Sequence, residues 1–146
     1  EISYIEAVPL LSAITVLFLP SSPMSSSPIS IFWTFLISPL KSGIFVPLNN
    51  SDCVIDLIQP DYKVIVVSRH YLGSINHTLM AIEILKSRNL NVAGIVFSGD
   101  ENKATESIIL EKTNVPMIGR IDNEPYFDQN VIKYYADLFR ENLLKL

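Results

Sequence analysis

From Gly43 onward the chain alternates short β-branched runs with stretches whose apolar residues recur every three or four positions. Lys63-Val-Ile-Val-Val67 is continuously apolar after its lysine, which predicts a strand buried on both faces. Val92 to Phe97 predicts a second buried strand, Val115 to Ile121 a shorter third, and Gly43 to Leu48 a short strand ended by Pro47 and Asn49-Asn50. Asp52 to Ile58 reads as a short helix capped by Ser51 or Asp52 and stopped by Pro60. A helix capped by Ser74 runs to about Ser87, with Ile75, Leu79, Ile82 and Leu85 on one face. Asn102 to Thr113 predicts the next helix, carrying Ile108, Ile109 and Glu111. Asn130 to Leu144 predicts a closing amphipathic helix with Val131, Tyr134, Tyr135, Leu138 and Phe139 inward.

Strand–helix alternation with short links predicts an α/β fold, a parallel sheet with flanking helices and right-handed crossovers. Ligands of such sheets bind beyond the carboxyl ends of the strands. The loops after Val67, Phe97 and Ile121 are therefore the candidates for function.

Residues 1–42 break this pattern. No charged residue lies between Glu6 and Lys41, all 11 Lys and Arg lie at Lys41 or later, and all 5 glycines lie at Gly43 or later. An apolar run at residues 7–19, interrupted by Pro9, is followed by a Ser/Pro-rich stretch from Pro20 to Ser30 and a second apolar run, Ile31 to Leu40. Neither apolar run reaches the roughly 18 residues that a membrane helix needs. Glu1 and Glu6 stand where a secretory signal carries positive charge. Three readings stay open for this segment: a non-native translation from a frameshift or misplaced start, a disordered apolar tail, and a buried element or anchor. The domain expectation is thus an atypical segment, 1–42, before an α/β unit, 43–146.

Net charge is -4 and there is no basic run, which argues against nucleic acid or an anionic membrane as partner. The single cysteine, Cys53, excludes an internal disulfide framework and a cysteine-based zinc site. That composition fits the reducing cytoplasm.

Three loops carry candidate chemistry. In Ser68-Arg-His-Tyr-Leu-Gly-Ser-Ile-Asn-His77, free backbone N–H groups of Gly73, Ser74, Ile75 and Asn76 at a helix start form an anion site, and the Asn76 amide adds a donor and an acceptor. An ordinary helix cap explains the same residues. His70 and His77 have no cysteine or carboxylate companions at metal-ligand spacing and read as structural or solvated. In Phe97-Ser-Gly-Asp-Glu101, Ser98 and Gly99 stand where a ligand edge would be hydrogen-bonded; a turn with Asp100 capping the next helix is the alternative. Gly119-Arg-Ile-Asp-Asn-Glu124 offers backbone amides with Asp122 and Asn123, or a plain surface turn. No Gly-x-x-x-x-Gly-Lys-Ser/Thr, Ser-His-Asp or paired-carboxylate motif occurs.

The run Ser68-Arg-His-Tyr-Leu-Gly-Ser-Ile-Asn-His-Thr-Leu79 resembles the strand–helix signature of dethiobiotin synthetases. Gly43-Ile-Phe-Val-Pro-Leu-Asn49, Val54-Ile-Asp-Leu57, Ala93-Gly-Ile-Val-Phe97 and Pro116-Met-Ile-Gly-Arg-Ile121 resemble further family segments in the family's order, over the whole of 43–146. The resemblance implies the C-terminal half of a P-loop NTPase-like fold, normally a homodimer. It implies an ATP-dependent ligase that uses Mg2+ and closes the ureido ring of dethiobiotin from 7,8-diaminononanoate and CO2, through a carbamate that ATP phosphorylates. By position it implies that Gly73, Ser74, Ile75 and Asn76 hold the substrate carboxylate across the dimer interface. Ser98 and Gly99, with Ile121, Asp122 and Asn123, match adenine-recognition positions, and Gly43 matches the last glycine of a Glu-Gly-Ala-Gly-Gly loop.

The departures are specific. Ser98 stands where the family usually has Asn, and Asp122 where it often has Pro. Leu40-Lys41-Ser42 replaces the Glu-Gly-Ala-Gly part of the loop, removing a metal-associated carboxylate. The P-loop lysine and threonine, the following lysine and a metal-linked aspartate have no counterparts, so no catalytic residue and no metal ligand is assigned, and the expected activity of the chain alone is nil. Three rivals remain: a non-catalytic binding or regulatory module on the same α/β half, another P-loop amidoligase with a cysteine nucleophile, which Cys53 without a histidine partner does not support, and a membrane-attached protein using residues 7–40.

Overall fold

A computed structural model describes residues 43–146 together with the backbone of the strand Ile14–Leu19. The Ser/Pro-rich stretch and the second apolar run of residues 1–42 lie outside the described residues.

Among the described residues the sheet has four strands: β1 (Ile14–Leu19), β2 (Lys63–Arg69), β3 (Asn91–Ser98) and β4 (Met117–Ile121), in the order β1-β2-β3-β4. β2, β3 and β4 run parallel, as strand–helix alternation predicts. β1 pairs antiparallel with β2, from Ile14 opposite Ser68 to Leu19 opposite Lys63; the sequence pattern had not singled out a strand there. Helix α1 (Ser74–Ser87) connects β2 to β3, α2 (Lys103–Thr113) connects β3 to β4, and α3 (Gln129–Leu143) closes the chain.

Side-chain alternation along β2 divides the interior in two. Val64 and Val66 face a core with Ala81, Ile82 and Leu85 of α1, Ile109 of α2, and Phe97, while Ile65 and Val67 face α3 through Ile132, Tyr135, Ala136 and Phe139. All four of these β2 residues are buried, so the run without polar alternation reflects a strand covered on both faces. Ile44, Ile55 and Ile58 join the first core, so the segment after Gly43 lies over the face that α1 and α2 cover.

Several local expectations are corrected. Gly43–Leu48 is not a strand: Val46 N–H donates to the Gly43 carbonyl at 3.1 Å in a turn, and only Pro47 bridges, to Cys53. Proline lacks the N–H that would extend a ladder. Residues Val54–Leu57 form a single 3-10 turn capped at Cys53, whose N–H donates to Asp56 Oδ2 at 2.7 Å. α1 is capped by Gly73, not Ser74, and α2 by Asn102, not Asp100; the Asn102 side chain accepts from Thr105 N–H at 3.0 Å. On α3 the inward stripe is Ile132, Tyr135, Ala136 and Phe139, while Tyr134 and Leu138 are exposed at 60% and 54%. Spacings of three, four and seven residues select that stripe, and the apolar residues beside it misdirected the sequence assignment.

Candidate functional site

The three candidate loops leave the sheet at one edge, because parallel pairing sets Arg69 opposite Ser98 and Ser98 opposite Ile121. Each loop has its own internal hold.

The first loop is anchored at both ends. Ser68, fully buried at the end of β2, hydrogen-bonds Thr78 of α1 through their hydroxyls at 2.7 Å. His70 N–H donates to the Ser98 carbonyl at 3.4 Å, and the His70 ring stacks on Phe97 with centroids 5.5 Å apart. Gly73 takes φ +96°, a left-handed conformation that glycine adopts without steric cost. Ser74 N–H is spent on the Tyr71 carbonyl at 3.0 Å, and the first helical bond is His77 N–H to the Gly73 carbonyl at 3.1 Å. Helix geometry therefore leaves the N–H groups of Ile75 and Asn76 without intrahelical acceptors, and the Gly73 cap has no side chain to take them. Of the four residues expected to offer N–H groups to an anion, Ser74 is thus excluded, and the exposed Asn76 side chain places its Nδ2 3.4 Å from Met80 Sδ. The Tyr71 hydroxyl and His77 Nδ1 share a hydrogen bond at 2.5 Å.

The second and third loops close on each other. Gly99 N–H donates to the Ile121 carbonyl at 2.9 Å, and Asn123 Nδ2 donates to Asp100 Oδ1 at 3.2 Å. Gly99 also has positive φ, +99°, and a methyl group built there would touch the Asn123 amide at 3.8 and 3.9 Å. Ser98 is only 6% exposed, so its side chain belongs to the wall. Ser98, Gly99, Ile121, Asp122 and Asn123 therefore share one small region, whereas Gly43 sits at a turn before Val54–Leu57, with no atom of the described residues within 4 Å of where its Cβ would lie.

Sequence reasoning missed the groups that tie these loops together. Glu106 of α2, 5% exposed, accepts from His70 Nε2 at 2.9 Å, from Arg120 Nη2 at 2.5 Å and from Asn102 N–H at 3.2 Å. Burial would push its carboxyl up, but the hydrogen bonds from Arg120, His70 and Asn102 outweigh that and hold it below the ordinary carboxylate value. An ionised carboxylate only accepts, so His70 carries its proton on Nε2. Tyr135 of α3 is the second such group. Its hydroxyl donates to Glu124 Oε1 at 2.7 Å and accepts from Asp122 N–H at 3.0 Å, and burial together with the bond to Glu124 pushes the phenol up to about 12. A usable signal for Glu106 was its spacing from Ile109 and Thr113 on the buried face of α2.

Among the described residues no group of three or more His, Cys, Asp or Glu is arranged to hold a metal ion, and no helix is long and apolar enough to cross a membrane.

The model of a family described as an AAA domain matches residues 41–131. The chain belongs to that family. Similar curated proteins share one name. The ATP-dependent dethiobiotin synthetase BioD of Christiangramia forsetii is 53% identical over 104 residues, covering 71% of this chain and 50% of that protein. The protein of that name from Cytophaga hutchinsonii is 47% identical over 102 residues, 69% of this chain and 50% of the relative. That of Chlamydia felis is 36% identical over 97 residues, 62% of this chain and 46% of the relative. The chain thus spans about half the length of the curated relatives it matches. No solved structure matches it. The resemblance read from Leu72-Gly-Ser-Ile-Asn-His77 and its companion segments therefore agrees with the names of its relatives, and the parallel α/β sheet agrees with the family.

Proposed function

We propose that residues 43–146 are the C-terminal half of an ATP-dependent dethiobiotin synthetase, a ligase of biotin synthesis in the cytoplasm. The observation that carries this reading is the 53% identity to such a protein over 104 residues. Within it, the N–H groups of Ile75 and Asn76, set by Gly73 and Ser74, bind the carboxylate of 7,8-diaminononanoate. Unpaired donors and the positive end of α1 favour an anion there. The side chains beside this helix start support a second copy of the chain as its cover: Leu72 is fully exposed at 100% and Met80 at 53%. The homodimer and the substrate carboxylate thus belong to one proposal.

For ATP, the residues present fit the adenine end. Gly99 and Asn123 lie beside each other at the ends of two strands, and Ser98, Ile121 and Asp122 are next to them in sequence. When bound, ATP supplies the phosphoryl group that activates a carbamate made from CO2. The chain's own residues orient the substrates. The described residues do not fit Mg2+: no three His, Cys, Asp or Glu side chains among them are grouped to hold it.

The test joins residues 43–146 to the N-terminal half of the Christiangramia forsetii relative and measures dethiobiotin formation from 7,8-diaminononanoate, bicarbonate and MgATP. The expected result is turnover by the chimera and none by the 146-residue chain alone. A chimera that folds cooperatively and makes no dethiobiotin would overturn the reading.

A further inference from the structure

We propose that His70 is a positioning residue: its bond to Glu106 holds the arch 71–73 in the shape that lets the start of α1 receive a carboxylate. This rests on the carboxylate reading above and adds a residue outside the anion site that shapes it.

The arch is pinned at its ends and open between them. On the helix side, Ser74 N–H donates to the Tyr71 carbonyl at 3.0 Å, and the Tyr71 hydroxyl shares a hydrogen bond with His77 Nδ1 at 2.5 Å. At the crest Leu72 is 100% exposed, so burial does not hold it. On the strand side the pin is His70. Its backbone N–H reaches the Ser98 carbonyl only at 3.4 Å, a long bond, whereas its Nε2 lies 2.9 Å from Glu106 Oε1. A hydrogen bond to a carboxylate is the stronger of the two kinds.

Glu106 is itself a fixed post. Arg120 Nη2 of β4 donates to its Oε2 at 2.5 Å and Asn102 N–H to its Oε1 at 3.2 Å. The same Arg120 nitrogen lies 3.5 Å from Glu101 Oε1, in the loop after β3. One carboxylate thus refers the arch after β2 to β4 and to the loop after β3. The imidazole does more than fill space. Its ring stacks on Phe97 with centroids 5.5 Å apart, a contact that a phenyl ring would make as well. Its Nδ1 is buried and has no hydrogen-bond partner among the described residues. A buried nitrogen without a partner costs free energy that a phenyl ring avoids. What histidine adds over phenyl at this position is the Nε2–H donor to Glu106.

The experiment uses the 146-residue chain labelled with 15N, under conditions where each variant is folded. It is titrated with 7,8-diaminononanoate and with 7,8-diaminononane, which lacks the carboxylate. In the wild type the carboxylate compound should move the Ile75 and Asn76 amide signals and the plain diamine should not. His70→Phe, which keeps a ring on Phe97 and loses the donor, should bind the carboxylate compound about tenfold more weakly, as the loss of one bond to a charged group allows. His70→Gln, whose side-chain amide supplies a donor at similar reach, should return to within about twofold of wild type. Should His70→Phe fail to fold, His70→Asn, whose shorter amide stops short of Glu106, takes its place with the same expected loss. A merely structural role for His70 would lower the urea midpoint of the donor-less variant and leave its affinity at the wild-type value. That result, or a His70→Gln variant as weak as the donor-less one, overturns this inference alone. No carboxylate-dependent movement in the wild-type chain overturns the carboxylate reading and this inference with it, and turnover by the chimera tests the ligase reading separately.

Discussion

Arg120 Nη2 of β4 lies 2.5 Å from Glu106 Oε2 on the buried face of α2, and the same carboxylate holds His70 at its other oxygen. Side-chain exposures of 7% for Glu106 and 17% for Arg120 put this pair largely out of water. Removing one partner of a buried pair strands the other charge, at a cost of about 3–5 kcal/mol. Glu106→Gln keeps the side chain's shape and loses its charge. It is expected to lower unfolding stability by about 3 kcal/mol in urea titrations at neutral pH. A loss below about 0.5 kcal/mol, the size of a surface pair, would show that the cluster is solvated.

The same carboxylate gives a pH prediction. Its folded-state value is held below the ordinary 4.5, so the folded protein binds the proton less well than the unfolded chain. The stability this contributes is complete above the unfolded value and is lost as pH falls through the folded one. Wild type should therefore lose stability faster than Glu106→Gln between neutral pH and about pH 3, and the gap between the two should narrow. Parallel acid limbs for the two proteins, measured by urea unfolding at several pH values, would contradict the assignment.

What the sequence made legible depended on how local its cause was. The buried run Val64 to Val67 announced a strand with two covered faces, and the loops after β2, β3 and β4 were found because parallel strands end on one edge. Leu72-Gly-Ser-Ile-Asn-His77 was readable as a helix start, but which N–H groups stay unpaired was not, since that depends on Ser74 bonding back to Tyr71. Glu106 and Tyr135 act through partners 36 and 11 residues away in sequence, His70 and Glu124, and no periodicity encodes such pairings. Tyr134 and Leu138 were assigned inward because they are apolar, although the face that packs on β4 is set by Ile132, Tyr135, Ala136 and Phe139. Ile14–Leu19 pairs with β2 across more than forty residues of separation, beyond what a short apolar run discloses.

Gly119 of β4 lies directly against Phe139 of α3. A methyl group on it would lie 2.5 Å from Phe139 Cδ1 and closer still to Cε1, and Phe139 is 2% exposed. The ring cannot swing out without opening the core below β4. Gly119→Ala is expected to destabilise by about 1–3 kcal/mol, the usual range for overpacking. Phe139→Leu in the same chain should recover part of the loss, giving a double mutant less destabilised than the sum of the singles. Strict additivity in thermal or urea unfolding would indicate that the contact is absent.

The hydroxyl pair Ser68–Thr78 gives a prediction that separates a hydrogen bond from simple packing. Both residues are 0% exposed and their oxygens are 2.7 Å apart, so neither hydroxyl has water to turn to if its partner is removed. Ser68→Ala leaves the Thr78 hydroxyl buried and unpaired, which costs about 1–3 kcal/mol. Thr78→Val alone strands Ser68 in the same way. Replacing both removes the polar groups together and keeps the volume close, so Ser68→Ala/Thr78→Val is expected to be more stable than the sum of the single changes by at least about 1 kcal/mol. Because this pair ties β2 to the helix that carries Ile75 and Asn76, amide exchange at those two positions should rise in the single variants and return toward wild type in the double. A double mutant as unstable as the singles combined would mean that packing, not the hydroxyl bond, sets the start of α1.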